Sequence, residues 1–230
     1  MPPLTIAIDG PSGSGKSSTA RGVASRLGLR YVDTGAMYRA MTWWMLRQDM
    51  DIDDPEAMAA RCDEAVITLR DDPEDPRVFV AGVDVSAAIR EGAVADAVSR
   101  VAAVPRVRER MVAQQRDLVA QARQSGLGVV MEGRDIGTVV LPEADLKVFL
   151  IADAHERASR RAREEAGDAG AESAHLARTE ANLRSRDALD SNRAVSPLQR
   201  ASDAVLIDGT HLSLDAVVTA VIQALPADPQ

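Results

Sequence analysis

Runs of apolar residues alternate with polar segments along most of this chain. Residues 4–8 form an unbroken aliphatic and β-branched run, which is typical of a strand buried on both faces. Residues 17–27 and 36–48 instead carry apolar side chains at helical spacing. Further strands are predicted at 30–32, 127–131, 146–151 and 203–207, and further helices at 105–124 and 212–225. This alternation predicts an α/β fold with a parallel sheet that helices cover on both faces.

Residues 62–96 interrupt the alternation. Three short apolar runs, at 66–69, 78–80 and 83–85, are separated by Asp/Pro and Gly turns, which is the pattern of a small antiparallel sheet. The total length of 230 residues suits one main domain with small insertions. We therefore interpret residues 1–230 as a single domain and residues 62–96 as a subdomain inserted into it.

The first predicted strand leads directly into the sequence Gly-Pro-Ser-Gly-Ser-Gly-Lys-Ser at residues 10–17. The glycines allow backbone N–H groups to turn toward a polyphosphate, which would also lie at the positive N-terminal end of the next helix. In this pattern Lys16 would bridge the β- and γ-phosphates, and the Ser17 hydroxyl would be a ligand of Mg²⁺. A flexible Gly/Ser linker is the alternative, but a linker does not place Lys-Ser between an apolar strand and a helix. The predicted phosphate-binding residues are Gly10, Pro11, Ser12, Gly13, Ser14, Gly15, Lys16, Ser17 and Ser18.

Charged and polar residues follow two other predicted strands. The sequence Asp-Thr-Gly at 33–35 comes after the strand at 30–32, and Glu-Gly-Arg-Asp at 132–135 comes after the strand at 127–131. In parallel sheets the ligand lies beyond the carboxyl ends of the strands. We therefore expect both segments to lie beside the phosphate-binding loop.

The segment 156–165 is rich in arginine and glutamate. Glu156 and Arg160 are four residues apart, as are Arg161 and Glu165, so ion pairs on a solvated helix would account for much of the pattern. The segment also follows a predicted strand and precedes a loop that contains glycines, which favours a mobile lid. We predict a lid at about 155–171 whose arginines stabilise a transferring phosphoryl group. These arginines are Arg157, Arg160 and Arg161.

Composition and charge argue against several other classes of protein. The net charge of −8 argues against general nucleic-acid binding, which needs a basic surface to neutralise phosphates. No signal peptide and no apolar run long enough to span a bilayer is evident, so no membrane partner is expected. The chain has one cysteine, Cys62, and therefore no intrachain disulfide, which is typical of a reducing compartment. These features predict a cytoplasmic protein.

Three longer motifs occur in order along the chain: D-T-G-A-M-Y-R at 33–39, E-G-R-D-I-G-T-V-V at 132–140 and N-R-A-V-S-P-L at 192–198. Together with the phosphate-binding loop they resemble the bacterial cytidylate kinases over residues 4–225. The resemblance implies a P-loop kinase fold, with a five-stranded parallel sheet flanked by helices, a small inserted monophosphate-binding subdomain and a short Arg-rich lid. It also implies a monomer that transfers the γ-phosphoryl group of ATP to CMP or dCMP with Mg²⁺.

The resemblance further implies roles for individual residues. The loop at 10–18 would bind ATP, and Lys16 together with the lid arginines would neutralise the γ-phosphoryl group during transfer. Arg39 and Arg134 would hold the acceptor monophosphate, since a guanidinium binds phosphate oxygens bidentately. Surface ion pairs are the alternative for both arginines.

Other matched residues would recognise the nucleoside. Arg108 and Asp135 would bind the cytosine, because arginine donates to its O2 and N3 acceptors while a carboxylate accepts from its exocyclic amine. Asp190 would accept from a ribose hydroxyl, although an Arg186–Asp190 ion pair within one helix would explain the same spacing. Ser191 departs from the family pattern, because close relatives often have arginine there. The full predicted acceptor set is Thr34, Arg39, Ser99, Arg108, Arg134, Asp135, Arg186, Asp190 and Arg193.

The sequence leaves two other functions open. Another small-molecule kinase on the same fold, for shikimate or a different nucleoside monophosphate, would share the loop and differ in its acceptor. A nucleotide-dependent regulatory switch would hold ATP without any acceptor. The arginines at several strand ends favour a kinase, because they fit a second phosphate-bearing ligand beside the loop.

Overall fold

A computed structural model describes residues 3–166, 173–193 and 195–226 of the chain. Within these ranges the helices and strands follow in this order: β1 (Thr5–Asp9), α1 (Lys16–Leu27), β2 (Arg30–Asp33), α2 (Thr34–Arg47), α3 (Pro55–Arg61), β3 (Ile67–Arg70), β4 (Arg77–Val80), β5 (Val83–Asp84), α4 (Gly92–Val101), α5 (Pro105–Gln124), β6 (Val129–Gly133), β7 (Leu146–Ile151), α6 (Ala154–Ala166), α7 (Ser173–Ser191), β8 (Val205–Asp208) and α8 (Leu214–Gln223). A π-helical turn, Ile136–Val140, follows β6. No helix in the described ranges is both long enough and apolar enough to cross a membrane.

The main sheet in the described part of the chain has five parallel strands in the order β2-β6-β1-β7-β8. This confirms the predicted fold. β1 lies in the middle and all of its residues are buried, as its aliphatic run predicts. The register pairs Asp9 with Gly133 and Asp33 with Glu132, so β1, β2 and β6 end side by side. The segments that follow these three strands therefore emerge at one edge of the sheet.

Helices pack on both faces of this sheet, as the alternation of elements predicts. Successive residues of β1, Ala7 and Ile8, point to opposite faces and belong to different cores. The core that contains Ile8 is closed by α1 and α8, through side chains such as Val218. The core that contains Ala7 is closed by α2 and α5, through side chains such as Met41 and Met111. Each fully buried large apolar side chain stabilises the fold by about 1.5–3 kcal/mol.

The strands β3, β4 and β5 form a separate antiparallel sheet, as the three apolar runs predict. Its inward side chains, including Ile67 and Val80, join the core that α2 lines. The β3–β4 turn is also attached to the main sheet, because Arg30 donates to both carboxylate oxygens of Asp71 at 2.6 and 2.7 Å. The inserted strands are therefore held against β2.

The helices α3 and α4 follow from neither the apolar pattern nor the charge spacing, whereas the spacing of charged residues is consistent with α6 and α7. α3 begins at Pro55, and the Asp54 carboxylate caps it by accepting from two backbone N–H groups of its first turn. α4 lies partly within the segment 62–96 and begins without a side-chain cap. Two strands, β6 and β8, begin two residues later than predicted. For β6 the reason is that the N–H group of Leu127 donates to the carbonyl oxygen of Ala122 and closes α5.

Candidate active site

A cavity of about 640 Å³ opens at the carboxyl edge of the main sheet, between the loop at 10–17 and the inserted strands. Among the described residues that line it, ten have basic side chains and four have acidic ones. This surplus of positive charge lies within a chain of net charge −8, so the cavity suits anionic ligands. The predicted site residues that line it are Ser12, Gly13, Gly15, Lys16, Ser17, Ser18, Thr34, Arg39, Ser99, Arg108, Arg134, Asp135, Arg161, Asp190 and Arg193. The side chain of Arg186 and residues 167–171 of the predicted lid lie outside the described residues.

The phosphate-binding loop adopts the backbone conformation that its glycines permit. Gly10 has a φ of 154°, and a Cβ atom there would lie 2.1 Å from the carbonyl oxygen of Leu150. Gly15 has a φ of 90° and a left-handed conformation at the start of α1. Pro11 and Ser14, like Gly10, belong to the loop without lining the cavity in the described structure. The loop thus presents the first turn of α1 to the cavity, where unsatisfied N–H groups and the helix dipole favour an anion.

Lys16 is buried at the loop, where its Nζ donates to the carbonyl oxygen of Pro11 at 2.8 Å. Burial, together with the positive charge of Arg134, lowers the pKa of Lys16 to about 7. The carboxylates of Glu132 and Asp9 act in the opposite direction. A phosphate group beside Nζ would favour the ammonium form, so anion binding and the charge of Lys16 reinforce each other.

Glu132, a buried carboxylate at the end of β6, lines the cavity although the motifs assign it no role. It accepts from the Tyr31 hydroxyl at 2.7 Å, and its carbonyl oxygen accepts from the Thr34 hydroxyl at 2.7 Å. Burial raises the pKa of Glu132, while a hydrogen bond with the Ser17 hydroxyl opposes this shift. Its position at the carboxyl end of a buried strand is the signal that could have identified it. Asp33 and Ser17 line the same cavity.

Asp9 ends β1 and orders the segment that follows β6. Its carboxylate accepts from the N–H groups of Ile136 at 2.9 Å and Gly137 at 2.7 Å. These hydrogen bonds fix the π-helical turn and thereby the preceding residues, Arg134 and Asp135. Burial raises the pKa of Asp9 to about 6, although the two hydrogen bonds oppose this shift. The sequence shows Asp9 only as a polar end to an apolar run, so this positioning role emerges from the structure.

Stability is expected to depend on pH through Asp9. Between the ordinary pKa of 3.8 and the folded-state value of about 6, the folded protein holds a proton that the unfolded chain has released. The contribution of Asp9 to the free energy of unfolding therefore falls by about 3 kcal/mol as the pH rises through this interval. Asp9→Asn should remove this part of the pH dependence, which urea unfolding of both proteins from about pH 4 to pH 7 would measure. Equal pH slopes for the two proteins would contradict this account of Asp9.

Asp190 and two arginines form a charged cluster at the cavity wall. Asp190, near the end of α7, accepts from Arg134 Nε at 2.8 Å and also pairs with Arg193. The Asp190 side chain is only 5% exposed, so both guanidinium groups are held by a buried carboxylate. Arg134 also donates to the carbonyl oxygen of Gly10 at 3.1 Å. One arginine therefore contacts both this cluster and the phosphate-binding loop.

Arg39 lies on the first turns of α2 and is oriented by Asp33. The Asp33 carboxylate accepts from Arg39 Nη2 at 3.0 Å and from the N–H group of Ala36 at 2.7 Å, which also caps α2. The buried Nε of Arg39 has no hydrogen-bond partner among the described residues. Arg39 itself lines the cavity, so its guanidinium can face an anionic ligand there.

Arg108 and Asp135 form a buried ion pair, with side chains 3% and 7% exposed. Arg108 Nη1 also donates to the carbonyl oxygen of Ala102 at 3.2 Å, and its guanidinium carbon lies 5.4 Å from the ring centroid of Tyr38. In the described part of the chain, the buried Nε of Arg108 and the Tyr38 hydroxyl have no hydrogen-bond partner. Ser99 lines the same cavity. The pair thus combines a donor and an acceptor in a setting that excludes water, which suits recognition of a polar ring edge.

The three predicted lid arginines occupy different positions on α6. Arg157 Nη1 donates to the carbonyl oxygen of Ser12 at 3.0 Å, and Arg160 Nη1 donates to that of Ser14 at 3.3 Å. In the described structure neither side chain lines the cavity, whereas Arg161 does. The structure therefore brings Arg161 to the predicted site and brings the other two against the loop itself.

Comparison with known proteins reveals one family along nearly the whole chain. The family model described as Cytidylate kinase matches residues 6–227. The chain is 51% identical to the cytidylate kinase of Nocardia farcinica over 220 residues, which cover 94% of the chain and 90% of that protein. It is 49% identical to the cytidylate kinase of Streptomyces avermitilis over 222 residues, with 96% and 92% covered. A solved structure of an uncharacterized protein from Eubacterium ventriosum has a TM-score of 0.52 at 13% identity and covers 98% of the chain and 99% of its own, which is a likeness of fold alone.

Proposed function

The chain belongs to the cytidylate kinase family, and we propose on this basis that it transfers the γ-phosphoryl group of ATP to CMP, giving ADP and CDP. The observation that carries the proposal is the presence of two kinds of phosphate-binding group around one cavity. The loop with Lys16 lines the cavity, and so do Arg39 and Arg134, which come from other segments of the chain. A donor and an acceptor that both carry phosphate fit side by side in such a cavity, as direct transfer requires.

ATP would bind with its phosphates along residues 10–18, with Lys16 between the β- and γ-phosphates. Mg²⁺ is the cofactor that we propose, held by the Ser17 hydroxyl together with phosphate oxygens. The described residues include no group of three or more His, Cys, Asp or Glu side chains suited to a metal, and nucleotide-bound Mg²⁺ needs no such cage. The carboxylate oxygens of Asp33 and Glu132 at the same cavity fit a hard cation. When bound, the ion supplies charge neutralisation at the phosphates.

CMP would bind with its phosphate on Arg39 and Arg134, because guanidinium groups form charge-assisted hydrogen bonds to phosphate oxygens. Its cytosine would lie against Arg108 and Asp135, which offer a donor for O2 and N3 and an acceptor for the exocyclic amine. We propose that dCMP is a substrate as well, because it carries the same phosphate and the same cytosine as CMP. The other residues assigned to contacts with the sugar, base or phosphate are Thr34, Ser99, Arg186, Asp190 and Arg193.

The transfer itself needs no covalent nucleophile on the protein. The acceptor phosphate oxygen is already ionised and attacks the γ-phosphorus in line, so catalysis consists of positioning and charge stabilisation. Lys16 would neutralise the γ-phosphoryl group from the loop, and Arg161 would do so from α6. Arg157 and Arg160 would support this charge from behind the loop. We propose that the inserted segment 62–96 and the lid close over the substrates and exclude water, since an open site would hydrolyse ATP.

We further propose that the protein acts in the cytoplasm as a monomer, without a nucleic-acid or membrane partner. The single cysteine, Cys62, is buried, which suits a reducing compartment. The chain is acidic overall, with a net charge of −8, which argues against a general nucleic-acid partner. Light scattering coupled to gel filtration, at the mass of one 24.5 kDa chain, would test the monomer.

Phosphorus NMR on a mixture of the protein, ATP, Mg²⁺ and CMP tests the proposed reaction. ADP and CDP are expected to appear in equal amounts, because each transfer consumes one ATP and one CMP. The same mixture without CMP is expected to stay nearly unchanged, since water is excluded from the closed site. Equal ADP formation with and without CMP, together with no CDP, would contradict the proposal.

A further inference from the structure

The backbone N–H and carbonyl groups of Ser12, in the phosphate-binding loop, both form hydrogen bonds with an ion pair that two helices contribute. Asp187 on α7 accepts from the N–H group of Ser12 at 3.2 Å. Arg157 on α6 donates to the carbonyl oxygen of Ser12 at 3.0 Å and also pairs with Asp187. The side chains of Arg157 and Asp187 are 10% and 18% exposed, so the three groups form a nearly buried, closed set of contacts. We name Arg157 and Asp187 the loop clamp.

The contact between α6 and the loop leaves little room for a side chain at residue 13. A Cβ atom on Gly13 would lie 3.0 Å from the carbonyl oxygen of Arg157, and the φ of 76° at Gly13 is also one that favours glycine. In the described structure neither Arg157 nor Asp187 lines the cavity, although Ser12 and Gly13 do. The loop clamp therefore lies behind the loop and acts on its shape from outside the ligand site.

The same helix that carries Asp187 also carries a residue that lines the cavity. Asp190 follows Asp187 by three residues on α7, and it accepts from Arg134 and pairs with Arg193. Arg134 in turn donates to the carbonyl oxygen of Gly10. The loop is thus connected to α7 at two points, through Asp187 and through Asp190.

We propose that Asp187 is a positioning residue for the phosphate-binding loop. Its carboxylate, paired with Arg157, fixes the orientation of the Ser12 peptide and thereby aims the following N–H groups of the loop at the nucleotide phosphates. This inference rests on the proposed function for the identity of the nucleotide. It also assigns Arg157 to the loop clamp, whereas Arg161, on the same helix, lines the cavity.

Calorimetric titration with ADP tests the loop clamp directly, because it needs neither an acceptor nor turnover. Asp187→Ala and Arg157→Met are each expected to weaken ADP affinity by roughly 10–100-fold, the usual effect of removing a side chain that orients a binding group. The ADP affinity of the double variant is expected to be at most about threefold below that of the weaker-binding single variant, because both substitutions disrupt the same set of contacts. ADP affinity of Asp187→Ala within about twofold of the unchanged protein, or losses that add in the double variant, would overturn the proposal.

Two further variants separate positioning from general damage. Arg184→Ala removes an exposed ion pair with Glu180 on the same helix and is expected to leave ADP affinity unchanged. Asp187→Asn keeps an oxygen that accepts from the Ser12 N–H group and loses the charge, so its ADP affinity should lie between those of the unchanged protein and Asp187→Ala. Asp187→Asn also replaces Asp187→Ala in the titration if the alanine variant does not fold. Affinity of Asp187→Asn equal to the unchanged protein would then overturn the proposal.

Steady-state kinetics adds a readout that lost stability would not produce. A poorly oriented loop is expected to raise KM for ATP at least about tenfold while KM for CMP changes less than about threefold. A merely destabilised protein would lose active molecules and show a lower kcat with both KM values unchanged, which would overturn the proposal. Because ADP binding is measured without CMP, absence of CMP phosphorylation in the unchanged protein would contradict the proposed function and not the loop clamp.

Discussion

Replacement of Lys16 by alanine is expected to reduce kcat for transfer from ATP to CMP by about 10³-fold or more while the protein stays folded. Lys16 is the buried cation of the loop and lines the cavity, and we propose that the γ-phosphoryl group passes beside its Nζ. Its removal would leave developing negative charge without a fixed partner in a site that excludes water. The fold should survive, because a buried ammonium with a lowered pKa is a cost to folding. ADP release with ATP, Mg²⁺ and CMP measures the rate, and circular dichroism checks the fold.

The chain has one other lysine, and it provides a matched control. Lys147 lies on β7 and pairs with the exposed carboxylate of Asp203, in the segment before β8. Neither residue lines the cavity in the described structure. Lys147→Met keeps the aliphatic stem and is expected to retain the rate of the unchanged protein. Folded Lys16→Ala protein with near-normal turnover would contradict the assignment of the loop as the donor phosphate site.

Replacement of Arg108 by methionine is expected to lower kcat/KM for CMP by about 10²-fold, with KM for ATP changed by less than about twofold. Arg108 lies on α5 in the buried pair with Asp135, outside the loop, and lines the cavity where we propose that cytosine binds. The variant should also unfold more easily, by about 3–5 kcal/mol, because Asp135 would be buried without its partner. Arg108→Lys keeps a positive charge beside Asp135 and loses the fork, so it tests the kinetic effect with less damage to stability.

Initial rates measured against each substrate in turn, together with urea unfolding, check both parts of this prediction. Arg106→Met is the control, because Arg106 lies two residues earlier on α5 and forms an exposed pair with Asp63. It should change neither the kinetic constants nor the stability by more than a small amount. If the Arg108 variants lowered kcat/KM equally for ATP and for CMP, the proposal that Arg108 binds the cytosine would be contradicted.

Local patterns predict the main sheet and the phosphate-binding loop well, because both follow from neighbouring residues. The aliphatic run of β1 and the glycines before Lys16 together require a strand, a tight loop and a helix N-terminus. The common direction of parallel strands then places the segments after β2 and β6 beside that loop. α3 could also have been recognised, since Asp54 and Pro55 are a typical helix start.

The supporting contacts of the site are not readable from local spacing. Asp187 contacts Ser12 across 175 positions of sequence, and Asp9 contacts Ile136 across 127. Asp190 shows the limit most clearly, because its helical spacing suggests a partner on α7 while Arg134, 56 positions away, donates to it. The contacts between α6 and the phosphate-binding loop are not readable either. Arg157 and Arg160 donate to carbonyl oxygens of the loop, which is about 145 positions away in the sequence.

The most direct test of the central claim is kcat/KM for ADP formation with each of CMP, dCMP, UMP, AMP, dTMP and shikimate as acceptor, and the rate without acceptor. CMP and dCMP are expected to stimulate the reaction strongly. UMP should be at least about tenfold less effective, because its carbonyl group would face the Asp135 carboxylate where cytosine presents an amine. The account would be contradicted if another acceptor were preferred, or if no acceptor raised the rate above background, as a nucleotide-dependent switch would behave.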